Sequence, residues 1–206
     1  MTSTNQQIFS WFNNATEGRV NKVLGADKKK LLSNVAGKVV EIGIGSGGNL
    51  RYYPEEVEVI GIEPNAAMRK YIERSAKTFG IDIIINECSA EELPFDAESI
   101  DTVVATHVMC SVQSVQQSLS EILRILKPGG QYHYIEHVAA KKGTPLRFIQ
   151  NTVRRVHSAV FGGCQCNREI GIDIKDAGFT IVDYTKKNLG NPLSHIKPHI
   201  VGTAMK

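Results

Sequence analysis

The sequence predicts an α/β fold: one domain on a seven-stranded, mostly parallel sheet, covered by helices on both faces, with an antiparallel last strand. Three observations point there. Short Val- and Ile-rich runs alternate with stretches of helical period, the pattern of successive strand–helix units. A glycine-rich turn follows the first strand and precedes a helix. The last two strands are joined by a segment broken by Gly190, Pro192 and Pro198, too short for a crossover helix, so one of the pair must reverse direction.

Residues 5–32 carry apolar anchors at Ile8, Phe9, Phe12, Val20, Val23, Leu24, Leu31 and Leu32. Gly18 and Gly25 interrupt them, which predicts two or more short helices. KVVEIGIG, 38–45, is a buried strand entering a turn, and a short helix over 49–53 stops at Pro54. VEVIGIE, 57–63, is strand two. Pro64 and Asn65 open a helix that reaches about Phe79, where Gly80 ends it. Strands three and four are 81–87 and 99–106. A helix over 113–126 is closed by Pro128 and Gly129. Strand five is 131–138, followed by a helix over 145–160, a Gly/Cys-rich turn and a helix over 167–177. Strands six and seven are 179–187 and 199–205.

The chain has 206 residues, 42% of them hydrophobic, enough for one domain with a real core. Its expected parts are an N-terminal helical lid (1–35), a cofactor-binding core (36–138), and a substrate wall with the C-terminal strands (139–206). A net charge of +3, from 24 basic and 21 acidic residues, with no basic stripe, argues against nucleic acid. Lys28, Lys29 and Lys30, beside Asp27, read as a solvated helix end. The N-terminus lacks the pattern of a secretory signal, and no run approaches the roughly 18 apolar residues of a membrane span. A cytoplasmic monomer with reduced thiols is expected, without integral membrane contact and with peripheral contact left open. Cys164 and Cys166 have no second Cys or His pair nearby in the sequence, so no metal is expected.

EIGIGSGGN, Glu41 to Asn49, carries the first chemistry. Gly43 and Gly45 let the backbone turn tightly and approach a ligand, and Gly48 completes the Gly-x-Gly-x-x-Gly spacing. Glu63, 20 residues beyond Gly43, can accept hydrogen bonds from both hydroxyls of a ribose. A dinucleotide and S-adenosylmethionine both remain open on these residues. The first needs its pyrophosphate at a helix N-terminus. The second brings an amino acid end, for which Glu41 and Asn49 offer polarity.

EIGIGSGGN, IEPN, CSAEELPFDAESIDTVV and ILRILKPGG, in this order, resemble the motifs of class I S-adenosylmethionine-dependent methyltransferases over residues 38–138. THVMCSV, YIEHVA, FGGCQCNRE and KPHIVGTAMK look more specifically like the small thiol methyltransferases of the mammalian microsomal methyltransferase-like group. Quinone-biosynthesis methyltransferases match the second half less well. The resemblance implies a Rossmann-like domain, S-adenosyl-L-methionine as cofactor and a small-molecule acceptor. It implies that Gly43, Gly45 and Gly47 line the methionine end, that Glu63 holds the ribose, and that Pro64, Asn65 and Met68 flank the adenosine. Ser89, Ala90 and Glu91 would border the adenine, and His107 would lie beside the methyl group.

Methyl transfer from a sulfonium is an in-line displacement, so much of its catalysis comes from positioning. A thiol acceptor must lose a proton at a reference pKa of about 8.5. His107 and His137, ending strands four and five, are the candidate bases. His133 lies mid-strand, and Glu136 faces away from His137 in a regular strand. Cys110 reads as a small buried hydrophobe rather than a pocket wall or a metal or arsenic ligand. Phe9, Trp11 and Phe12 are expected in the lid. Phe148, Val156 and Phe161 are expected in a second wall, made partly cationic by Arg147, Arg154, Arg155, His157 and Arg168. Residues 191–199 would form a third. The acceptor is expected to be a small thiol; a lipid, quinol or other hydrophobic alcohol, and a non-catalytic cofactor-binding protein, are the alternatives.

Overall fold

Strand β1 (Lys38–Ile42) runs through the middle of the sheet because both its faces are apolar. Val40 and Ile42 join the core on one face, and Val39 joins the core on the other. The computed structural model describes residues 3–189 and 194–206. The further strands are β2 (Glu58–Ile62), β3 (Ile83–Asn86), β4 (Ile100–Thr106), β5 (Leu126–His137), β6 (Thr180–Asn188) and β7 (Pro198–Met205). Their order across the sheet is β3-β2-β1-β4-β5-β7-β6. β1 to β5 pair in parallel, and β7 is antiparallel to both its neighbours, as the short last connection requires. β6 forms an exposed edge carrying Lys186 and Lys187, charges that discourage edge pairing.

The helices are α1 (Ser3–Leu32), α2 (Arg69–Phe79), α3 (Val115–Ile125), α4 (Pro145–Val160) and α5 (Ile170–Asp176). Gly80 ends α2 at φ 67°, and Pro145 sits in the first turn of α4 behind the Thr144 cap. Several boundaries differ from the sequence reading. The expected helix at 49–53 is a 3-10 turn, Leu50–Tyr52, and a second such turn, Ala66–Met68, leads into α2. The Lys-Pro-Gly-Gly segment does not separate α3 from β5. β5 already pairs at Leu126 with Ile100, then shifts register before Gln131 meets Thr102.

The largest correction is at the N-terminus, where α1 is one helix of 30 residues rather than several. Gly18 lies inside it with open space where a Cβ would stand, and Gly25 lets Tyr52 come close, its hydroxyl 3.1 Å from the position of a Cβ. Tertiary packing overrides the helix-weakening effect of both glycines. Lys28 is no solvated end: it is buried and donates to Asn21 Oδ1 at 3.0 Å. Its neighbour Asp27 pairs with Lys187 on β6. No helix among the described residues is long and apolar enough to cross a membrane.

Because α1 is continuous through Gly18 and nothing fills the space beside it, Gly18→Ala should stabilise the protein by about 0.5–1 kcal/mol. Urea unfolding measures this. An unchanged or lower midpoint would show that the helix is broken there.

Candidate active site

β1 and β4 are neighbours, but the chain leaves their carboxyl ends toward β2 and β5 respectively. Such a switch point opens a crevice in an α/β sheet. A cleft of about 510 Å³ lies there. Its floor is the glycine turn after β1 and the loops after β2, β3 and β4, and its roof is α1, through Phe9, Asn13, Glu17 and Val20. Glu41, Gly43, Gly45, Asn49, Glu63, Pro64, Asn65, Met68, Ser89, Ala90, Glu91 and His107 all line it. Two expected site residues do not. Gly47 faces α2, where a Cβ would lie 2.9 Å from that of Ser75. His137 stands behind the cleft wall.

The glycine turn is fixed by sterics and by one carboxylate. Gly43 and Gly45 adopt φ of 63° and 58°. A Cβ on Gly43 would meet Val108 Cγ2 at 2.6 Å, whereas one on Gly45 would meet nothing nearer than Asn13 Oδ1, at 3.4 Å. Glu63 accepts from Gly45 N at 3.1 Å and from Asn65 N at 3.0 Å. It is only 9% exposed, not the open strand end that its position suggests. Burial raises its pKa, against the lowering by the two backbone amides. Glu41 accepts from Asn49 Nδ2 at 2.9 Å and from the Tyr53 hydroxyl at 2.8 Å, and burial pushes it up to about 7. Asn49 Nδ2 also donates to Thr106 Oγ1 at 3.0 Å, which ties β1's turn to the end of β4. Glu41 therefore acts through Asn49, whose buried Oδ1 has no partner.

α1 is strapped over the turn by polar contacts. Ser46 Oγ donates to Glu17 Oε2 at 2.5 Å, and Asn65 Nδ2 donates to Ser10 Oγ at 3.1 Å. Of the aromatic residues expected in the lid, Phe9 lines the cleft and Phe12 lies 6.2 Å from the Phe161 ring, while Trp11 points to solvent. From 145–168 only Gly162 reaches the cleft; Phe148 and Val156 are exposed. The expected cationic wall does not form. Arg168 donates to the carbonyls of Met109 and Val112, Arg147 to that of Ala140, and His157 is buried. Of the expected third wall, residues 191–193 lie outside the described residues.

At the end of β4, His107 sits in the left-handed region at φ 58°, a backbone that its surroundings must impose. His107 N donates to Ile135 O at 2.8 Å, and Glu136 Oε1 accepts from Val108 N and Met109 N at 2.8 and 2.9 Å. Glu136 thus faces away from His137 and positions this loop. His107 Nε2 lies 3.1 Å from Nε2 of His199, a residue that the sequence reading placed at the end of the third wall without a chemical role. His199 Nδ1 is 3.0 Å from Lys197 O, a pure acceptor, so its proton is on Nδ1. With both rings neutral, His199 Nε2 accepts and His107 Nε2–H donates, which leaves the lone pair of His107 on Nδ1. Burial holds the His107 pKa well below its ordinary value, and His137 and His199 lower it further. His133, mid-strand as expected, faces Thr203 Oγ1 at 2.9 Å.

Behind this wall the fold gathers residues that sequence spacing keeps apart. His137 Nε2 lies 2.9 Å from Cys164 Sγ, with Cys110 beside them. Cys166, the other half of the Cys-x-Cys pair, points instead toward Gln150 O.

The strand order β3-β2-β1-β4-β5-β7-β6 with an antiparallel β7, together with the glycine turn and the strand-two carboxylate, is that of the class I methyltransferase fold. The matching family is the methyltransferase domain, over residues 40–134. Thiol S-methyltransferase TMT1A of Homo sapiens is 30% identical over 199 residues, covering 90% of this chain and 81% of the relative. Phosphatidylethanolamine N-methyltransferase of Cereibacter sphaeroides is 28% identical over 144 residues, covering 68% and 70%. Geranyl diphosphate methyltransferase, solved with GPP and sinefungin, shares the fold at a TM-score of 0.69 and 18% identity, covering 88% of this chain and 77% of that one. The chain belongs to the class I S-adenosylmethionine-dependent methyltransferases. Within them it is similar over most of its length to the thiol S-methyltransferases.

Glu63→Gln keeps the size of the side chain but removes the charge, and its single carbonyl oxygen can accept from only one of Gly45 N and Asn65 N. It should weaken S-adenosylmethionine binding by about 2–4 kcal/mol if the carboxylate holds the ribose. Isothermal calorimetry beside a melting curve checks this; an unchanged Kd in a folded variant removes Glu63 from the site.

Proposed function

We propose that this chain binds S-adenosylmethionine in the cleft and transfers its methyl group to the sulfur of a small apolar thiol. The shape of the turn supports the cofactor. A 3-10 turn of three residues, not an α-helix, follows the glycines, so no helix N-terminus waits for a pyrophosphate. The Glu17 carboxylate over Ser46 adds a negative charge that would repel one. Asn49 Oδ1, buried and unpartnered, suits a ligand that brings donors, as an amino acid ammonium does. Glu63 would hold the ribose and Ser89, Ala90 and Glu91 the adenine, with α1 as the lid.

The acceptor end carries the thiol assignment. Phe9, Val108, Val112 and Gly162 give it apolar surface, and His107 gives it one neutral nitrogen with a lone pair. The cofactor supplies an electrophilic methyl on a sulfonium. The walls orient the acceptor sulfur and exclude water. His107 Nδ1 takes the thiol proton as the new carbon–sulfur bond forms, and its Nε2–H toward His199 spreads the developing positive charge. A buried neutral imidazole is a weak base, suited to a thiol of pKa about 8.5 and not to an alkyl alcohol. Similarity to thiol S-methyltransferases extends over 90% of the chain, against 68% for the phospholipid enzyme, which supports the thiol reading. A hydrophobic oxygen acceptor is the second reading, favoured by the exposed aromatic residues Trp11, Phe12 and Phe161.

Incubation with methyl-labelled S-adenosylmethionine and competing small thiols, phenols, quinols and alcohols should place the label on sulfur, as read by mass spectrometry. Label on oxygen or nitrogen alone overturns the thiol reading and leaves the methyltransferase intact. In the same assay His107→Asn should lower kcat by roughly 100-fold while S-adenosylmethionine binding stays within about threefold. Unchanged turnover would exclude His107 as the base.

A further inference from the structure

Behind the acceptor end, three buried side chains converge from segments far apart in sequence. Cys110 lies in the loop after β4, His137 ends β5, and Cys164 lies in the turn between α4 and α5. One donor atom from each lies within 4.8 Å of the other two. Their exposures are 1%, 6% and 6%, so the cluster is closed to bulk water. His137 Nε2, 2.9 Å from Cys164 Sγ, is the ring nitrogen turned toward the cluster.

We propose that Cys110, His137 and Cys164 form a binding site for a thiophilic divalent cation, zinc by the chemistry of its donors. Two thiolates and a neutral imidazole cancel the charge of a divalent ion, which makes its burial tolerable. Sulfur and imidazole donors select zinc over magnesium or calcium. Tetrahedral zinc, with bonds near 2.3 Å to sulfur and 2.0 Å to nitrogen, sets sulfur–sulfur and sulfur–nitrogen separations of roughly 3.8 and 3.5 Å. The observed group reaches these with side-chain shifts of a few tenths to about one ångström. Binding displaces two thiol protons to solvent, and no electron moves.

The surroundings suit a second shell. His157 Nε2 lies 3.2 Å from Cys164 Sγ and can donate to a thiolate there, while its Nδ1 faces His195 Nε2 at 3.0 Å. Ser111 Oγ lies 3.4 Å from Cys110 Sγ. Three protein donors leave a fourth position for water or a ligand. The ion would fasten the α4–α5 turn, whose Gly162 lines the cleft, to β5 and to the loop bearing His107. This site is independent of the thiol assignment, and its test reads metal rather than methyl transfer.

The full chain, reduced and stripped with a chelator that is then removed, is titrated with zinc and, separately, with cobalt. A single ion per chain should bind, with a sulfur-to-cobalt charge-transfer band and a raised Tm on zinc. Cys110→Ser and Cys164→Ser should each weaken zinc binding at least about 100-fold and diminish the band, whereas Cys88→Ser and Cys166→Ser should keep both. No uptake by the reduced protein overturns the site, as does uptake unaltered in the first two variants. Should those variants fail to fold, alkylation of the unaltered chain decides. Zinc should slow labelling of Cys110 and Cys164 at least about tenfold, and equal rates with and without zinc overturn the proposal.

Discussion

Three glutamates are buried at the carboxyl edge of the sheet, and the loops around the cleft are arranged to meet them. A carboxylate in such a place is tolerated only when donors surround it. Glu41 on β1 draws in Asn49 and Tyr53. Glu63, one residue past β2, is held between the amides of Gly45 and Asn65. Glu136 on β5 takes the amides of Val108 and Met109. Each carboxylate thereby fixes a loop that begins on another strand or on its own. The glycine turn, the loop after β2 and the loop carrying His107 are consequently set against one another before any ligand arrives, which is the preorganisation that a displacement reaction needs.

The same edge explains why α1 stays in one piece. Its inner face presents polar groups, Ser10, Asn13 and Glu17, to Asn65 and Ser46, and apolar ones, Phe9 and Val20, to the cleft. Its far end is fastened through Asp27 to β6 and through the buried Lys28 to its own preceding turns. A helix held at both ends and along one face can carry two glycines that would break it alone.

Fold and acceptor are therefore encoded in different ways. The cofactor half is a compact set of consecutive strand–turn–helix units, and a fold of this kind hosts many acceptors. The end of the cleft proposed for the acceptor is assembled from α1, the loop after β4 and the turn after α4, with β7 bringing His199 up behind it. Antiparallel pairing of β5 with β7 places His199 opposite His137, and that register alone decides which imidazole meets His107.

The sequence by itself determined the strands, most of the helices, the reversed last strand and the strand-end residues that the structure brings to the cleft, because each is written locally. A short continuous apolar run marks a buried strand, Gly43 and Gly45 mark a turn with positive φ, and Glu63 stands one strand further on. Only the tertiary structure decided that α1 is continuous, that Lys28 is buried, and that Gly47 packs against α2 instead of facing the cleft. It alone joined His107 to His199, 92 residues apart, and His137 to Cys164, 27 residues apart. The reason is physical: side chains meet through strand order, register and the path of intervening loops, and no local periodicity records those. A lone histidine or cysteine in sequence carries a chemistry; the sheet supplies its partner.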